Sequence, residues 1–287
     1  MTGTLPYFSA PGPGPGPHPG PAAGPGLGGP GSARPVAMAH RGFSLAGLEN
    51  SLAAFRAAVE LGYSHLETDV HTTSDGELLL FHDSTLDRVT DGHGNIHELT
   101  AAEVRRARIG GTEPVPTFDE LVAAFPDARL NLDVKDWHSV PSVVAAIERH
   151  QVHDRVLIAS FSDRRRRAVL QQLSRRTASS AGTRANALFL VLGPLLSVRA
   201  LASPVRAVLR WALRDVDALQ VPVRYRAVPV VTPGFVRRAH ELGLYVHVWT
   251  INDPAEMHRL LDLGVDGIVS DRADLLKEVL QARGQWG

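Results

Sequence analysis

Cysteine is absent from the 287 residues of this sequence. The chain therefore has no disulfide scaffold, no thiolate zinc site and no cysteine nucleophile. Any metal ion that it binds must be held by oxygen atoms or by imidazole nitrogen atoms. The sequence contains 13 His residues, and most of them are expected to be ordinary surface residues, so only position can assign one a chemical role.

An excess of charge of one sign is also absent, because 30 Lys and Arg balance 30 Asp and Glu. This balance argues against a dedicated nucleic-acid-binding protein and against a polybasic membrane protein. The nearest candidate for a membrane span, residues 187–196, is shorter than the ~20 residues needed and contains a Gly-Pro break. Residues 1–9 lack the basic and apolar regions of a signal peptide. We therefore expect a cytoplasmic protein without stable membrane insertion.

Residues 11–31 hold 17 Gly or Pro residues in 21 positions. Such a composition buries too little apolar surface to form a packed core. We therefore predict a disordered Gly/Pro-rich tail over residues 1–33 and one folded domain over residues 34–287. A role of the tail as a Pro-rich ligand is disfavoured, because no spaced aromatic or basic anchors accompany the prolines.

After residue 34, short apolar runs alternate with amphipathic segments, which is typical of βα units around a parallel sheet. Counting these units gives eight strands, each followed by a helix, and hence an α/β fold of the (β/α)8 TIM-barrel type. The segment 188–192 is ambiguous, because so short an apolar run suits either a buried strand or a helix. The strands are predicted at residues 36–40, 64–71, 129–135, 156–161, 176–180, 218–221, 245–251 and 267–270.

The second strand is predicted to continue into a β-hairpin, because Asp75-Gly76 is a strong turn signal before another apolar run. A two-residue turn there would place Asp69 directly opposite His82, with Cβ atoms ~5 Å apart. Glu67 would share that face, because side chains alternate along a strand. The polar, Gly-rich residues that follow, about 84–115, are predicted to be an insertion into the barrel.

Acidic residues lie on the second and third predicted barrel strands, and barrels of this type carry their chemistry at the carboxyl ends of the strands. Glu67 and Asp69 lie on the second strand and Asp133 on the third. Three carboxylates form a set of hard oxygen ligands, which suits Mg²⁺ or Ca²⁺ better than zinc. The sequence therefore predicts one divalent cation, Mg²⁺ or Ca²⁺, as the cofactor.

Two imidazoles and two cations accompany the carboxylates. His40 and Arg41 end the first strand, His82 follows the hairpin and Lys135 ends the third strand. Cleavage of a phosphodiester needs a base for the attacking oxygen and an acid for the leaving alkoxide, and imidazole serves in either role near neutral pH. Arg and Lys side chains can hold the non-bridging phosphate oxygens. These residues together indicate phosphodiester chemistry.

Short motifs follow one another along the chain: His40-Arg-Gly42, Glu49-Asn-Ser51, Phe55, Gly62, Leu66-Glu-Thr-Asp-Val70, Thr73-Ser-Asp-Gly76, Phe81-His-Asp-Ser-Thr-Leu-Asp-Arg88, Val115-Pro-Thr117, Leu132-Asp-Val-Lys135, Ser160-Phe161 and Trp249-Thr-Ile-Asn252. Taken together, over about residues 36–282, they resemble the glycerophosphodiester phosphodiesterase family. His-Arg-Gly alone is a weak signal, whereas the ordered series is a strong one.

This resemblance implies a barrel with an insertion after the hairpin, and hydrolysis of a small-molecule glycerophosphodiester to glycerol 3-phosphate and an alcohol. It also implies roles for individual residues. The metal ligands fall on Glu67, Asp69 and Asp133, the acid–base pair on His40 and His82, the phosphate contacts on Arg41 and Lys135, and a tryptophan that packs against the glycerol part on Trp249.

Some positions depart from the family pattern or carry a second interpretation. The third metal position is commonly Glu, so Asp133 is one methylene shorter. We interpret Asn50 as a helix cap, Glu49 as part of the loop structure and Asp271 as a cap of the last helix rather than a ligand. The family's architecture also implies that the insertion covers the site and selects the alcohol.

Two other functions remain open from the sequence. A non-catalytic barrel that binds phosphodiesters or metal ions would be marked by loss of a His or carboxylate, and only the shorter Asp133 favours it. A lysophospholipase D-like activity on longer lipids would be favoured by an apolar rim around the cleft. The sequence does not separate attack by water from attack by the substrate's glycerol hydroxyl, and it leaves the oligomeric state open.

Overall fold

The computed structural model describes residues 5–8, 30–31 and 34–286. The strands, numbered along the chain, are β1 (Val36–His40), β2 (His65–Thr72), β3 (Leu78–Leu80), β4 (Arg108–Ile109), β5 (Glu113–Pro114), β6 (Arg129–Val134), β7 (Val156–Ala159), β8 (Ala178–Ser179), β9 (Ala218–Val221), β10 (Arg224–Tyr225), β11 (Val228–Pro229), β12 (Tyr245–Val248) and β13 (Gly267–Ser270). Within the described residues, eight parallel strands follow one another in the order β8-β7-β6-β2-β1-β13-β12-β9. A parallel bridge from Ser180 to Ala218 joins the two ends of this sheet, so the predicted barrel is confirmed.

All of the helices except α2, which belongs to the insertion, surround the barrel. The helices are α1 (Leu52–Glu60), α2 (Ala101–Val104), α3 (Phe118–Ala124), α4 (Ser139–His150), α5 (Asp163–Leu170), α6 (Thr183–Leu192), α7 (Arg199–Ala212), α8 (Pro233–Glu241), α9 (Pro254–Asp262) and α10 (Ala273–Ala282). The ambiguous segment 188–192 belongs to α6 and not to a strand. A large apolar core, which includes Phe55, Leu130 and Leu276, fills the space between strands and helices. No helix within the described part of the chain is long and apolar enough to cross a membrane.

The hairpin that β2 and β3 form differs from its predicted register by one residue. Val70 lies opposite Leu80, so the position opposite Asp69 falls on Phe81, whose N–H donates to the Asp69 carbonyl at 2.9 Å. The turn has three residues between Thr73 and Glu77 instead of two, with Gly76 at φ 92°. The prediction that Asp69 directly faces His82 is therefore wrong, because it assumed the shortest turn.

The insertion at residues 84–115 has a small apolar core of its own. Leu86, Ile96, Val104 and Ile109 pack with Leu79 and Phe81 of the hairpin arm. Short elements, α2 and the β4–β5 pair, give this segment its shape. The insertion is therefore a folded unit that rests on the hairpin.

Part of the predicted tail packs against the barrel. Residues 5–8 are described, and Tyr7 and Phe8 are each only 1% exposed. The Phe8 ring stacks on Tyr245, the first residue of β12, with ring centroids 4.1 Å apart. Tyr7 and Phe8 pack against residues that begin the barrel strands, and they therefore close the amino-terminal end of the barrel. Their aromatic rings bury the large apolar area that the Gly and Pro residues of the tail lack. Residues 1–4, 9–29 and 32–33 of the predicted tail lie outside the described residues.

Candidate active site

The eight residues selected from the sequence line one cleft of about 700 Å³ at the carboxyl ends of the barrel strands. These side chains lie together because the carboxyl ends of parallel strands form one rim of the barrel. The contributing residues are His40 and Arg41 after β1, Glu67 and Asp69 on β2, His82 after β3, Asp133 and Lys135 from β6, and Trp249 after β12. His82 reaches this cleft although the register argument that placed it there is wrong.

Asp69 forms ion pairs with both basic side chains of the site, Arg41 and Lys135. Arg41 Nε lies 2.9 Å from one carboxylate oxygen of Asp69, and Lys135 Nζ lies 2.7 Å from the other. Lys135 Nζ is also 2.7 Å from Asp133, which sits beside Asp69 in the register of β2 and β6. Burial alone would raise the pKa of Asp69, but Lys135 and Arg41 outweigh it and hold that pKa below its usual value. Asp69 is therefore an anion with its two oxygens aimed at fixed cations.

His40 is held between two carboxylates. Its Nδ1 lies 2.5 Å from Asp271 Oδ1, and its Nε2 lies 3.8 Å from Glu67 Oε2. Burial disfavours the charged imidazole, yet the charge of Glu67 and the hydrogen bond to Asp271 outweigh burial and raise the pKa of His40. The bond at Nδ1 fixes the ring, so Nε2 is the atom available at the cleft.

His82 has the same arrangement with a different carboxylate. Its Nδ1 lies 2.6 Å from Asp83 Oδ1, and the Arg88 guanidinium binds the other oxygen of Asp83. The backbone is fixed as well, because His71 Nε2 lies 3.1 Å from the His82 carbonyl. His82 therefore also presents Nε2 to the cleft from a ring that is held on its far side.

The carboxylate charge of Glu67 is poorly stabilised by its surroundings. Its Oε2 accepts the Arg41 backbone N–H at 3.1 Å, but burial and then the nearby charge of Asp69 raise the pKa of Glu67 to about 7. A positive charge placed between these two acids would remove that repulsion. The electrostatics of this corner of the cleft therefore favour a bound cation.

The fit of a divalent cation is incomplete in the arrangement seen here. No group of three His, Asp or Glu side chains in the described segments is gathered closely enough to hold a metal ion. The Lys135 ammonium lies between Asp69 and Asp133, where it provides positive charge. Asp133 Oδ1 is buried without a hydrogen-bond partner, and all three predicted ligands are hard oxygen donors. The donor chemistry and charge therefore fit a cation, provided that Lys135 withdraws.

Asn50 and Glu49 are site residues that the sequence interpretation missed. Ser51, not Asn50, caps α1 by accepting the Ala54 N–H. Asn50 is instead buried at φ 59°, where its Nδ2 donates to Asp69 Oδ2 at 3.2 Å. Glu49 accepts Arg41 Nη1 at 2.9 Å and so positions this guanidinium. The Glu49-Asn-Ser51 motif was the signal for these site residues in the sequence. The interpretation of Asn50 as a helix cap did not predict its contact with Asp69.

Asp271 is also not a helix cap. Residue 272 occupies the cap position of α10 without a side-chain cap bond, while Asp271 binds His40. Asn252 Nδ2 donates to the other oxygen of Asp271 at 2.8 Å, which fixes the carboxylate. Its position after the last barrel strand was the available signal, because that strand neighbours β1. Asp271 therefore orients His40 through tertiary contact.

One wall of the cleft is apolar. Leu190 of α6 lies there with Val221, which ends β9, and with Pro222 and Val230, which follow that strand. Phe161 packs edge-on against Trp249 with ring centroids 5.9 Å apart. Residues 84–115, all of which the structure describes, contribute no side chain to the cleft lining. The apolar wall is therefore formed by α6, the end of β9 and the segment after it, and a role of the insertion in covering the site stays a prediction.

Comparison with known proteins shows what this chain resembles. The model of the glycerophosphoryl diester phosphodiesterase family matches residues 40–275. A probable glycerophosphodiester phosphodiesterase 2 of Mycobacterium tuberculosis is 45% identical, over 88% of this chain and 92% of that protein. A lysophospholipase D of Rattus norvegicus is 23% identical over 85% of each chain. A phosphodiesterase of Oleispira antarctica, solved with its product sn-glycerol-3-phosphate, has 24% identity and a TM-score of 0.69, covers 86% of this chain and 97% of its own, and shows a shared fold.

Proposed function

Because the chain belongs to the glycerophosphoryl diester phosphodiesterase family, we propose that its cleft hydrolyses glycerophosphodiesters with His40 and His82 as the acid–base pair. The enzyme is a phosphoric diester hydrolase, and its products are glycerol 3-phosphate and an alcohol. The observation that carries the acid–base proposal is that both imidazoles line the cleft with Nδ1 bound to a carboxylate. The non-catalytic barrel considered from the sequence is disfavoured by this family membership.

The two imidazoles exchange protons with the reacting oxygens through Nε2. One ring takes the proton of the attacking oxygen, which belongs to water or to the glycerol hydroxyl of the substrate. The other ring gives a proton to the departing alkoxide. Asp271 and Asp83 keep the rings oriented during both transfers, in the way that a buried carboxylate orients a catalytic histidine. Detection of a cyclic glycerol phosphate during turnover would identify attack by the hydroxyl.

Arg41 and Lys135 are the groups that we assign to the phosphate. Arg41 is already positioned by its 2.9 Å contact with Asp69, whereas Lys135 reaches the phosphate once a cation takes its place between Asp69 and Asp133. The guanidinium can bind two phosphate oxygens, and the ammonium acts as a point charge. Trp249 lies on the cleft wall, where its ring can pack against the glycerol carbons.

A divalent cation is general in this family, and we propose that Glu67, Asp69 and Asp133 hold it, with Mg²⁺ or Ca²⁺ as the ion. When bound, the cation supplies stabilisation of the negative charge that develops on phosphorus. Titration of the chelator-treated enzyme with Mg²⁺ and with Ca²⁺ would identify the ion. Asp133→Asn is expected to weaken activation by either ion, because it removes one charged ligand.

The proposed acid–base pair is tested by hydrolysis of glycerophosphocholine, with glycerol 3-phosphate measured as product. His40→Ala and His82→Ala are each expected to lower kcat by about 10²–10⁴-fold, which is the usual contribution of acid–base catalysis. His93→Ala is the matched control, because His93 is exposed in the insertion and pairs with Asp87. Wild-type turnover in either cleft variant, with the fold intact by circular dichroism, would remove that imidazole from the mechanism.

A lysophospholipase D activity is a second candidate, and the apolar wall of the cleft favours it. Leu190, Val221 and Val230 offer a surface suited to an acyl chain rather than to a small polar alcohol. We expect Leu190→Gln to lower kcat/KM for lysophosphatidylcholine and to leave kcat/KM for glycerophosphocholine unchanged. Equal losses with both substrates would remove the chain-binding role of this wall.

Three expectations about the whole protein stay predictions, namely its cytoplasmic location, its lack of a nucleic-acid partner and its domain boundary, and its oligomeric state stays open. Cell fractionation would test the cytoplasmic location, nucleic-acid binding assays would test the expected absence of that partner, and light scattering would give the oligomeric state. The domain boundary at residue 33 is tested by limited proteolysis.

A further inference from the structure

Basic residues are segregated in one part of this electrically neutral chain. Residues 164–214 contain eleven Arg and no Asp or Glu, although the chain as a whole carries no net charge. This segment forms α5, β8, α6 and α7 on one side of the barrel. Arg166 and Arg167 pair with Asp215, and Arg176 pairs with Asp217. The positive charge that this segment leaves at the surface therefore includes the arginines of α7 and of the residues just after it.

Helix α7 exposes apolar side chains in a regular row. Leu201, Val208 and Trp211 are 41%, 47% and 71% exposed, and their spacing of seven and then three residues places them along one side of the helix. Within α7, all of which is described, only Leu209 is buried. The row is therefore a surface feature, and the packing of the barrel does not account for it.

Arginines accompany this row. Arg199 and Arg210 are exposed on α7, and Arg214 follows the helix with its guanidinium over the Trp211 ring, 5.4 Å from the ring centroid. No carboxylate in the described part of the chain forms an ion pair with these three arginines. The acidic group on the adjoining helix α8, Glu241, pairs with Arg206 and Arg237 instead.

The apolar surface continues from α7 toward the mouth of the cleft. Val198 precedes α7 and is 46% exposed, and Val191 of α6 is 68% exposed. The residue before Val191, Leu190, lines the cleft. We call the combination of Val191, Val198, Leu201, Val208 and Trp211 with Arg199, Arg210 and Arg214 the α6–α7 face. One helix thus connects this face with the site of hydrolysis.

We propose that the α6–α7 face docks on an anionic lipid bilayer and lies in its interface. A helix that exposes Trp and aliphatic residues together with Arg matches the pattern of interfacial membrane helices. The 14 residues of α7 are too few to span a bilayer, so the helix lies along the surface. The arginines supply charge complementarity to anionic headgroups. Docking in this way places the cleft mouth close to the lipid surface.

A second copy of this chain fits the same face less well. Pairing two copies through one twofold axis would bring the same arginine-bearing surface against itself. Like charges brought together in this way oppose association. An acidic protein partner shares the charge complementarity, but a row of separate, protruding apolar side chains suits a fluid interface better than a pocket-forming partner.

The proposal is tested with the full chain and lipid vesicles. Vesicles of phosphatidylcholine alone and of phosphatidylcholine with phosphatidylglycerol are sedimented with the protein, and the bound fraction is measured at low and high salt. We expect binding to the anionic vesicles only, and we expect high salt to reduce it. The Arg199→Gln/Arg210→Gln double variant is expected to bind the anionic vesicles at least about tenfold more weakly than the wild type. The Arg56→Gln/Arg106→Gln double variant is the matched control, because these exposed arginines lie outside the face.

A second pair of variants tests the apolar row. Val208→Ser is expected to weaken vesicle binding, whereas Val59→Ser, at a similarly exposed position of α1, is expected to leave it unchanged. Turnover of soluble glycerophosphocholine should be the same in all of these variants, and His40→Ala should bind vesicles normally. These controls separate failure of docking from failure of the proposed function. No binding to anionic vesicles, equal binding to both vesicle types, or a dimer that the Val208→Ser variant dissociates would overturn the proposal.

Discussion

At the scale of single residues, the cleft depends on side chains that position other side chains. Asp271 and Asp83 each bind the Nδ1 of one imidazole, and Asn50 binds Asp69. The sequence located the imidazoles and carboxylates because strand ends are recognisable from the pattern of apolar runs. It did not locate Asn50 or Asp271, because a polar residue just before a helix is usually a cap. Tertiary neighbours alone distinguish the two roles.

Asp271 provides a test of such positioning. Asp271→Ala is expected to lower kcat by roughly 10–100-fold, with little change in KM, because His40 loses the carboxylate that orients its ring while the phosphate contacts remain. Asp271→Asn should retain more activity, since its amide oxygen can still accept from Nδ1. Asp274→Asn is the control, because Asp274 pairs with Arg272 away from His40. A change confined to KM would contradict the positioning role.

At the scale of elements, the order of strands and helices was predictable but the hairpin turn was not. Alternation of apolar runs identifies β1, β9 and β13 with their observed bounds, because each barrel strand must be buried on both faces. The length of a turn depends on one glycine in a left-handed conformation, and Asp-Gly is compatible with two-residue and three-residue loops. That one-residue difference moved the partner of Asp69 from His82 to Phe81.

Gly76 determines this turn, so its backbone conformation has a measurable cost. At φ 92° a Cβ would meet no atom within 4 Å, so Gly76→Ala introduces backbone strain without a clash. We expect it to lower the free energy of unfolding by about 1 kcal/mol. Gly76→Asn is the matched comparison and should cost less, because Asn tolerates positive φ better. Urea denaturation measures both, and equal stability of the Ala variant and the wild type would show that the loop relaxes into another turn.

At the scale of the whole molecule, net charge conceals how charge is distributed. The zero balance of Lys and Arg against Asp and Glu predicts a neutral protein, whereas residues 164–214 are strongly basic. That segregation was visible along the sequence, but its exposure was not, since burial of α7 depends on packing. The amino-terminal end of the barrel was hidden for the same reason. Tyr7 and Phe8 precede the Gly/Pro-rich stretch, and no pattern in the sequence indicated where they would pack.

This closed end of the barrel contains two buried histidines that link stability to pH. Burial, together with the charge of Arg129, lowers the pKa of His65 to about 3, and burial lowers the pKa of His247 to about 4. The unfolded chain, with imidazole pKa values near ~6.5, therefore binds more protons than the folded chain below that pH. Each histidine is expected to remove roughly 1.4 kcal/mol of stability per pH unit as the pH falls from ~6 to ~5.

Substitution of the two buried histidines separates their effect on the pH dependence of stability from that of groups with raised pKa values. The raised pKa values of His40 and Glu67 stabilise the folded chain at lower pH, but both residues are retained in every protein compared. His65→Gln and His247→Gln should each flatten the dependence of unfolding free energy on pH between 7 and 5, whatever their stability at pH 7. His97→Gln, in the exposed insertion, is the control and should keep the wild-type slope. An unchanged slope in both buried variants would mean that these imidazoles take up protons in the folded state, which requires water to reach the closed end of the barrel past Tyr7 and Phe8.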